Sequence, residues 1–331
     1  MIKVRNYLSL IKFSHTIFAM PFAMIGFFIG IPYEIGYGVG QWNLNKTVGW
    51  AEDIKRSESI TKLISPDSLT AKLLEGEGSA YLIARYLILV ILCMIFARSA
   101  AMAFNRYLDR QFDANNPRTA IREIPAGIIK ANSVLWFTII NCILFIACTF
   151  FINRLCFFLS PIALLVVLGY SYTKRFTPLC HLVLGLGLSL APIGAYLAVT
   201  GVFHWLPILF SLAVIFWVSG FDIIYALQDE EFDKSQKLYS MPAWLGKAKA
   251  LRVSELLHLL SSAAVIIAGI YGGFHWLYWA GVAVFAGMLV YQHSLVKPDD
   301  LRKVNIAFMT ANGIASVVFA IFVIADLFIN F

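Results

Sequence analysis

Long apolar runs separated by short polar turns set the rhythm of the chain. They predict nine membrane-crossing helices, at about 13–31, 81–109, 134–152, 155–172, 181–200, 205–227, 251–271, 274–291 and 304–328. An apolar run of about 18 residues or more is long enough to cross a bilayer. Pro21 and Pro192 fall inside two of these runs, where neighbouring helices can satisfy the backbone group a proline frees. Asn153-Arg154 and Gly201-Val202-Phe203-His204 read as tight turns between spans. The segment 33–79 breaks the rhythm: it is polar, with seven acidic against five basic side chains and Gly76-Glu77-Gly78 near its end. It is expected to be an extramembrane insertion between the first two spans of an otherwise single transmembrane domain over 1–331, with one or two short amphipathic helices over 57–74.

Two of the apolar runs end in matching acidic clusters. The first reads Asn105-Arg-Tyr-Leu-Asp109-Arg-Gln-Phe-Asp113 and the second Tyr225-Ala-Leu-Gln-Asp229-Glu-Glu-Phe-Asp233. At about 100° per residue, Asn105, Asp109 and Asp113 stay within roughly 80° of one helix face. Acidic groups at the mouth of a membrane helix are costly and usually mark function. Two such clusters point to one shared site. Capping of helix ends and pairing with loop arginines would explain either cluster taken singly.

Composition and charge sharpen this. The chain of 331 residues is 60% hydrophobic and 14% charged, with mean hydropathy +0.77. Soluble domains carry about 25% charged residues, so a polytopic all-α membrane protein is expected. With the N-terminus inside, the inner segments hold 18 Lys and Arg and the outer segments 7. This bias is the positive-inside pattern. It places both acidic clusters on the cytoplasmic face of the inner membrane. The net charge of +7 then reflects cytoplasmic loops and anionic lipid rather than nucleic acid. No protein partner is suggested. The five cysteines are scattered through apolar runs without a Cys-x-x-Cys, which argues against a zinc site or a redox pair. The first run lacks a small-x-small cleavage site and reads as a retained span rather than a signal peptide.

Carboxylates on facing helices make an oxygen-rich pocket of the kind Mg²⁺ shares with substrate phosphates, and adjoining basic side chains suit the phosphates themselves. Apolar helices around such a site would hold a lipid tail, so an enzyme acting on a lipid diphosphate is the leading reading. A CDP-alcohol phosphotransferase would pack its acids into one Gly-rich stretch. A divalent-cation transporter would place them near the bilayer midplane on broken helices.

Asn105-x-x-x-Asp109-x-x-x-Asp113 and Asp229-x-x-x-Asp233 resemble the two signature motifs of the UbiA superfamily of intramembrane prenyltransferases, and Tyr170-x-x-x-Lys174 resembles a third, weaker one. The context from Arg98 to Asn105, and Asn116-Pro-Arg118-Thr119 through Arg122-Glu-Ile-Pro125-Ala-Gly127, is similar to the aromatic-acceptor branch more than to the haem or chlorophyll branches. The resemblance implies nine helices around a central cavity and transfer of a polyprenyl group from its diphosphate to an aromatic acceptor. It implies that Asn105, Asp109, Asp113, Asp229 and Asp233 hold Mg²⁺ and diphosphate. Arg118, Arg122 and Lys174 would clamp the diphosphate, with Tyr170 supporting Lys174. Asp222 and Tyr225 lie seven and four residues before Asp229 on its face, so both are expected to face the cavity. Asp222 would orient the acceptor or take its proton, or else form an ion pair, for instance with Arg98. Arg98 would meet diphosphate or an acceptor carboxylate, and His15 an acceptor or a neighbouring helix. The acceptor itself is expected to be a dihydroxynaphthoate of the futalosine-type menaquinone route, or 4-hydroxybenzoate for ubiquinone. The phrase Phe104-Asn105-Arg106 tilts the choice toward the naphthoate.

Overall fold

A computed structural model of the chain describes residues 2–11, 19–31, 67–74 and 79–329. These form helices α1 (Ile2–Leu10), α2 (Met20–Gly30), α3 (Leu69–Leu74), α4 (Ser79–Leu108), α5 (Arg110–Asn115), α6 (Ala131–Ile152) and α7 (Arg154–Thr173). The second half adds α8 (Cys180–Thr200), α9 (Trp205–Ala226), α10 (Glu230–Ser235), α11 (Met241–Leu245), α12 (Lys247–Gly272), α13 (Trp276–Leu295) and α14 (Asn312–Ile329). Among the described residues the sole β pairing is one bridge between Lys297 and Asp300. The protein is therefore an all-α bundle.

Seven helical segments are long and apolar enough to cross a membrane: α4, α6, α7, α8, α9 with its extension to Ser235, α12, and 306–329 ending in α14. Two of the nine expected spans fall outside that set. The first is described from Ala19 onward, with α2 contributing 11 residues. The other, α13, has 20 residues, and Trp276, Tyr278, Trp279, Tyr291, Gln292 and His293 dilute its apolar character.

Consecutive long helices pack side by side from α6 through α9, then α9 on α12, α12 on α13 and α13 on α14, while α4 packs on α6 and α7. Helix α2 closes the arrangement against α14 and α8. The two halves differ inside. Around α9, α12, α13 and α14 the core is solid and aromatic, with Trp217, Phe210, Phe285 and Phe319 all fully buried. Between α4, α6, α7 and α8 lies an apolar cavity of about 370 Å³, within the ~300–1,000 Å³ usual for small-molecule pockets.

Short caps explain the turns. Asn153 accepts from the Cys156 N–H at 2.8 Å and donates to the Leu197 carbonyl at 2.8 Å, which fixes the hairpin between α6 and α7. Gly201 takes φ +70°, the left-handed conformation that closes a helix without steric cost, and the His204 ring caps α9 at the Leu206 N–H.

The end of the polar insertion belongs to this same face. Leu69 is fully buried and packs with Leu73 among Phe27, Tyr86 and Val199. The Thr70 hydroxyl donates to the Val199 carbonyl at 3.1 Å, and the Asp67 carboxylate accepts from the Arg154 N–H at 2.7 Å. The insertion thus rejoins the bundle at the end opposite the acidic clusters. Its removable part stops before Asp67. A Gly/Ser linker replacing 36–65 is expected to leave turnover intact. Leu69→Ala, by contrast, should destabilise by about 2–5 kcal/mol, the usual cost of a buried Leu truncation. Thermal unfolding of the purified protein separates the two.

Candidate active site

The two acidic clusters meet at one end of the bundle. Asn105 closes α4, and its amide donates to Asp109 at 3.0 Å. The helix does not run straight through, as the even spacing predicted. It breaks at Asp109 (φ −87°, ψ 5°) and restarts as α5, which carries the buried Asp113. The second cluster is interrupted likewise. A 3₁₀ turn over Leu227–Asp229 separates α9 from α10, which carries the fully buried Asp233.

Each acid has a cation. Arg118, on the loop after α5, crosses to the second cluster and binds Asp229 through two nitrogens at 3.1 and 2.5 Å. The Asn116 amide reaches the same carboxylate at 3.4 Å. Arg122 binds Asp113 at 2.6 Å, Lys174 binds Asp233 at 2.7 Å, and Arg175 binds Asp109 at 3.0 Å. Buried Arg106 stands 3.9 Å from Asp113. Burial raises the Asp109 carboxyl above its ordinary pKa, with Arg175 opposing it. Burial disfavours the charge on Arg118 and Lys174, but Asp229 and Asp233 outweigh it and hold both cations firmly protonated.

Of the diphosphate clamps read from sequence, Arg118, Arg122 and Lys174 all sit among the acids. Arg175, bound to Asp109, is a fourth cation among them; the sequence reading gave it no role, and its adjacency to Lys174 was the available signal. Tyr170 makes no hydrogen bond to Lys174. It lines the cavity with Arg98, one helical turn before Lys174. Arg98 does not pair with Asp222 either: its Nε is buried and without a hydrogen-bond partner. Asp222 instead meets His181 at 2.6 Å. The Tyr225 hydroxyl accepts from Arg118 at 3.1 Å, and its ring lies 4.3 Å from that of Phe308. Phe308 belongs to a π-helical turn, Ile306–Ala311, of a kind frequent at functional sites. Buried Gln292 and Asn312 brace that turn by donating to its Ala307 and Phe308 carbonyls. No periodicity in the sequence signals it. His15 lies outside the described residues.

The cavity begins at Arg98 and Tyr170 and extends to Ile152, Cys156 and Phe203 near the opposite end of the bundle. Asn105 follows Arg98 by seven residues, about 10 Å along the helix. The acids and cations therefore stand at the polar mouth of an apolar chamber.

The donor set fits Mg²⁺. It is built of carboxylate and amide oxygens, and the buried Oδ2 of Asp113 has no hydrogen-bond partner. Among the described residues no three His, Cys, Asp or Glu side chains converge as a ready-made metal cage.

Comparison with known proteins gives this geometry a family. The model of the UbiA prenyltransferase family matches residues 69–314. A 4-hydroxybenzoate octaprenyltransferase of Francisella tularensis subsp. mediasiatica (strain FSC147) is 29% identical over 265 residues, covering 79% of this chain and 91% of that protein. The one from Aeromonas salmonicida (strain A449) is 30% identical over 234 residues, covering 70% and 80%. The apo structure of a UbiA homolog from Aeropyrum pernix K1 superposes with TM-score 0.69 at 24% identity, covering 96% of this chain and 98% of that one. A UbiA homolog from Archaeoglobus fulgidus bound to DMAPP and Mg²⁺ gives 0.65 at 19%, covering 98% and 99%. These structural likenesses establish the fold. The chain belongs to the UbiA prenyltransferase family and is a membrane-embedded aromatic prenyltransferase.

Proposed function

We propose that the protein transfers a polyprenyl group from polyprenyl diphosphate to a hydroxylated aromatic carboxylate in quinone biosynthesis, releasing diphosphate. The observation that carries this reading is the bridge from Arg118 to Asp229, which spans 111 residues of sequence and ties the loop after the first cluster to the second at the mouth of an apolar chamber. Its polar end holds the buried Arg98 Nε, which has no hydrogen-bond partner among the described residues. The relatives' printed substrate and the Mg²⁺ and DMAPP of the Archaeoglobus structure support it.

Asn105, Asp109, Asp113, Asp229 and Asp233 would hold Mg²⁺, which when bound supplies positive charge to the departing diphosphate. Arg118, Arg122, Lys174 and Arg175 turn from their carboxylates toward the diphosphate oxygens. The allylic C–O bond breaks with its electrons leaving on diphosphate. The tail lies in the apolar chamber, away from water. A ring carbon of the acceptor, made nucleophilic by its hydroxyl, forms the new C–C bond and then loses its proton. Asp222 accepts the hydroxyl's hydrogen bond, and Arg98 binds the acceptor carboxylate. Tyr225 holds Arg118 in place, and Tyr170 lines the chamber where the allylic carbon sits.

Both 4-hydroxybenzoate and a dihydroxynaphthoate meet these requirements. The relatives' names support the first. The phrase Phe104-Asn105-Arg106 tilts toward the second, which stays first in this reading. In competition at equal concentration with one polyprenyl diphosphate, the prenylated naphthoate is expected to predominate; exclusive prenylated benzoate would reverse the order. Arg98→Gln should raise the acceptor KM by about 10-fold or more, the cost of one charge-assisted contact, with the diphosphate KM unchanged. An unchanged acceptor KM would remove Arg98 from the acceptor site.

The charge bias further supports an inner-membrane protein whose acidic mouth faces the cytoplasm. Reporters fused at Phe203 and Lys237 should report opposite sides, with Lys237 cytoplasmic.

A further inference from the structure

The structure assigns His181 as a positioning residue that holds Asp222 aligned toward the acceptor, and assigns the turn 238–241 as the element that fixes His181. This rests on the reading of Asp222 as the acceptor's hydrogen-bond partner.

His181 opens the buried face of α8 and is 3% exposed. Its Nδ1 stands 2.6 Å from Asp222 Oδ2. Its Nε2 is 3.2 Å from the backbone nitrogen of Met241. A backbone N–H can donate but not accept, so Nε2 must be the bare, accepting nitrogen. The proton therefore sits on Nδ1 and is donated to Asp222. One amide thus chooses the imidazole tautomer, as the partner of the far ring nitrogen does in other oriented histidines. The Asp222 side chain is one-quarter exposed. With Oδ2 engaged by His181, its other oxygen has no hydrogen-bond partner among the described residues and is available to the acceptor.

The same turn ties down the diphosphate end. The Leu238 N–H donates to the Asp233 carbonyl at 2.8 Å and the Tyr239 N–H to the Lys174 carbonyl at 2.7 Å. The Ser240 hydroxyl donates to the Asp233 carboxylate at 2.8 Å. Four consecutive residues therefore hold Asp233, Lys174 and, through His181, Asp222. Two of these belong to the diphosphate mouth and one to the acceptor. The turn sets the spacing between the leaving group and the group that orients the nucleophile, a distance the reaction cannot tolerate loosely.

The test uses full-length protein with a polyprenyl diphosphate and either aromatic acid. Loss of an orienting partner typically costs about 10–100-fold, and His181→Leu is expected to lower kcat by that amount. Its KM for the diphosphate, and thermal stabilisation by Mg²⁺ with the prenyl diphosphate, should match the parent. His181→Gln carries one acceptor and one donor and should restore most of the rate. If His181 acts through Asp222, the double variant His181→Leu/Asp222→Asn should be no slower than Asp222→Asn alone. Parental kcat in His181→Leu, multiplicative losses in the double variant, or no rescue by Gln would each overturn the assignment. Impaired Asp222→Asn beside an unimpaired His181→Leu would sink this inference while leaving the acceptor reading standing. Full activity in Asp222→Asn would remove both.

Discussion

Replacing Asp229 or Asp109 with alanine is expected to abolish turnover while leaving the protein folded in the membrane. Asp229 is the carboxylate on which both halves of the site converge, accepting from Arg118 and Asn116. In the proposed mechanism, removing it deletes an oxygen donor for the metal–diphosphate complex, and it frees Arg118 from its seat beside Tyr225. Asp109 stands at the break between α4 and α5, held by Asn105 and Arg175, and its loss disconnects the first cluster in the same way. A single electrostatic stabiliser is commonly worth about 10²–10³ in rate, and a shared ligand position should cost at least that. Chelation by EDTA should do the same, and added Mg²⁺ should restore the rate. Diphosphate release is the activity measure, and size-exclusion profiles in detergent report on folding. Full activity in either variant would end the two-cluster description of the site.

The second large effect lies far from the chemistry. Gly26→Val should prevent stable folding. In α2 this glycine rests directly on α8, and a Cβ there would fall onto the Pro192 carbonyl, with the carbonyl carbon at 2.8 Å and Cα at 2.9 Å. These are backbone atoms and cannot rotate aside. Close backbone approach at small residues is how membrane helices gain packing without a hydrophobic drive. Overpacking by added side-chain carbons, three in this case, costs about 1–3 kcal/mol even where side chains can adjust. Gly287→Ala is the control, because nothing lies within 4 Å of the added atom. A thermal midpoint for Gly26→Val equal to that of Gly287→Ala would show that α2 and α8 are not in contact in the membrane.

The bundle was legible because its signals are local. Apolar length marks a span regardless of its neighbours, and helix-end acids at four-residue spacing announce themselves in the same run. Arg118 and Arg122 were also visible, as basic residues next to an acidic motif, and Lys174 through the resemblance of Tyr170-x-x-x-Lys174 to a family motif. What escaped depends on contacts between distant segments. Nothing local to Lys174-Arg175 distinguishes the residue bound to Asp233 from the one bound to Asp109. His181 reads as any histidine at the start of an apolar run until Met241 and Asp222 are seen on either side of it. The helix breaks at Asp109 and Asp229 are invisible to a periodicity that continues through both. The π-helical turn behind Tyr225 likewise depends on Gln292, in α13, and on Asn312.

The pairing of charges across the sequence also constrains how the protein is made. Asp109, Asp113, Arg118 and Arg122 are synthesised early, but Lys174 and Arg175 come some 50 residues later and Asp229 and Asp233 later still. When α4 first enters the bilayer, Asp109 has no cation and Arg118 no carboxylate to pair with. The nascent chain must keep this half-built mouth in the watery headgroup layer until α9 is delivered. Chains arrested before Asp229 should therefore be recognisable to quality-control proteases through an exposed Arg118 loop that becomes protected once translation passes Asp233.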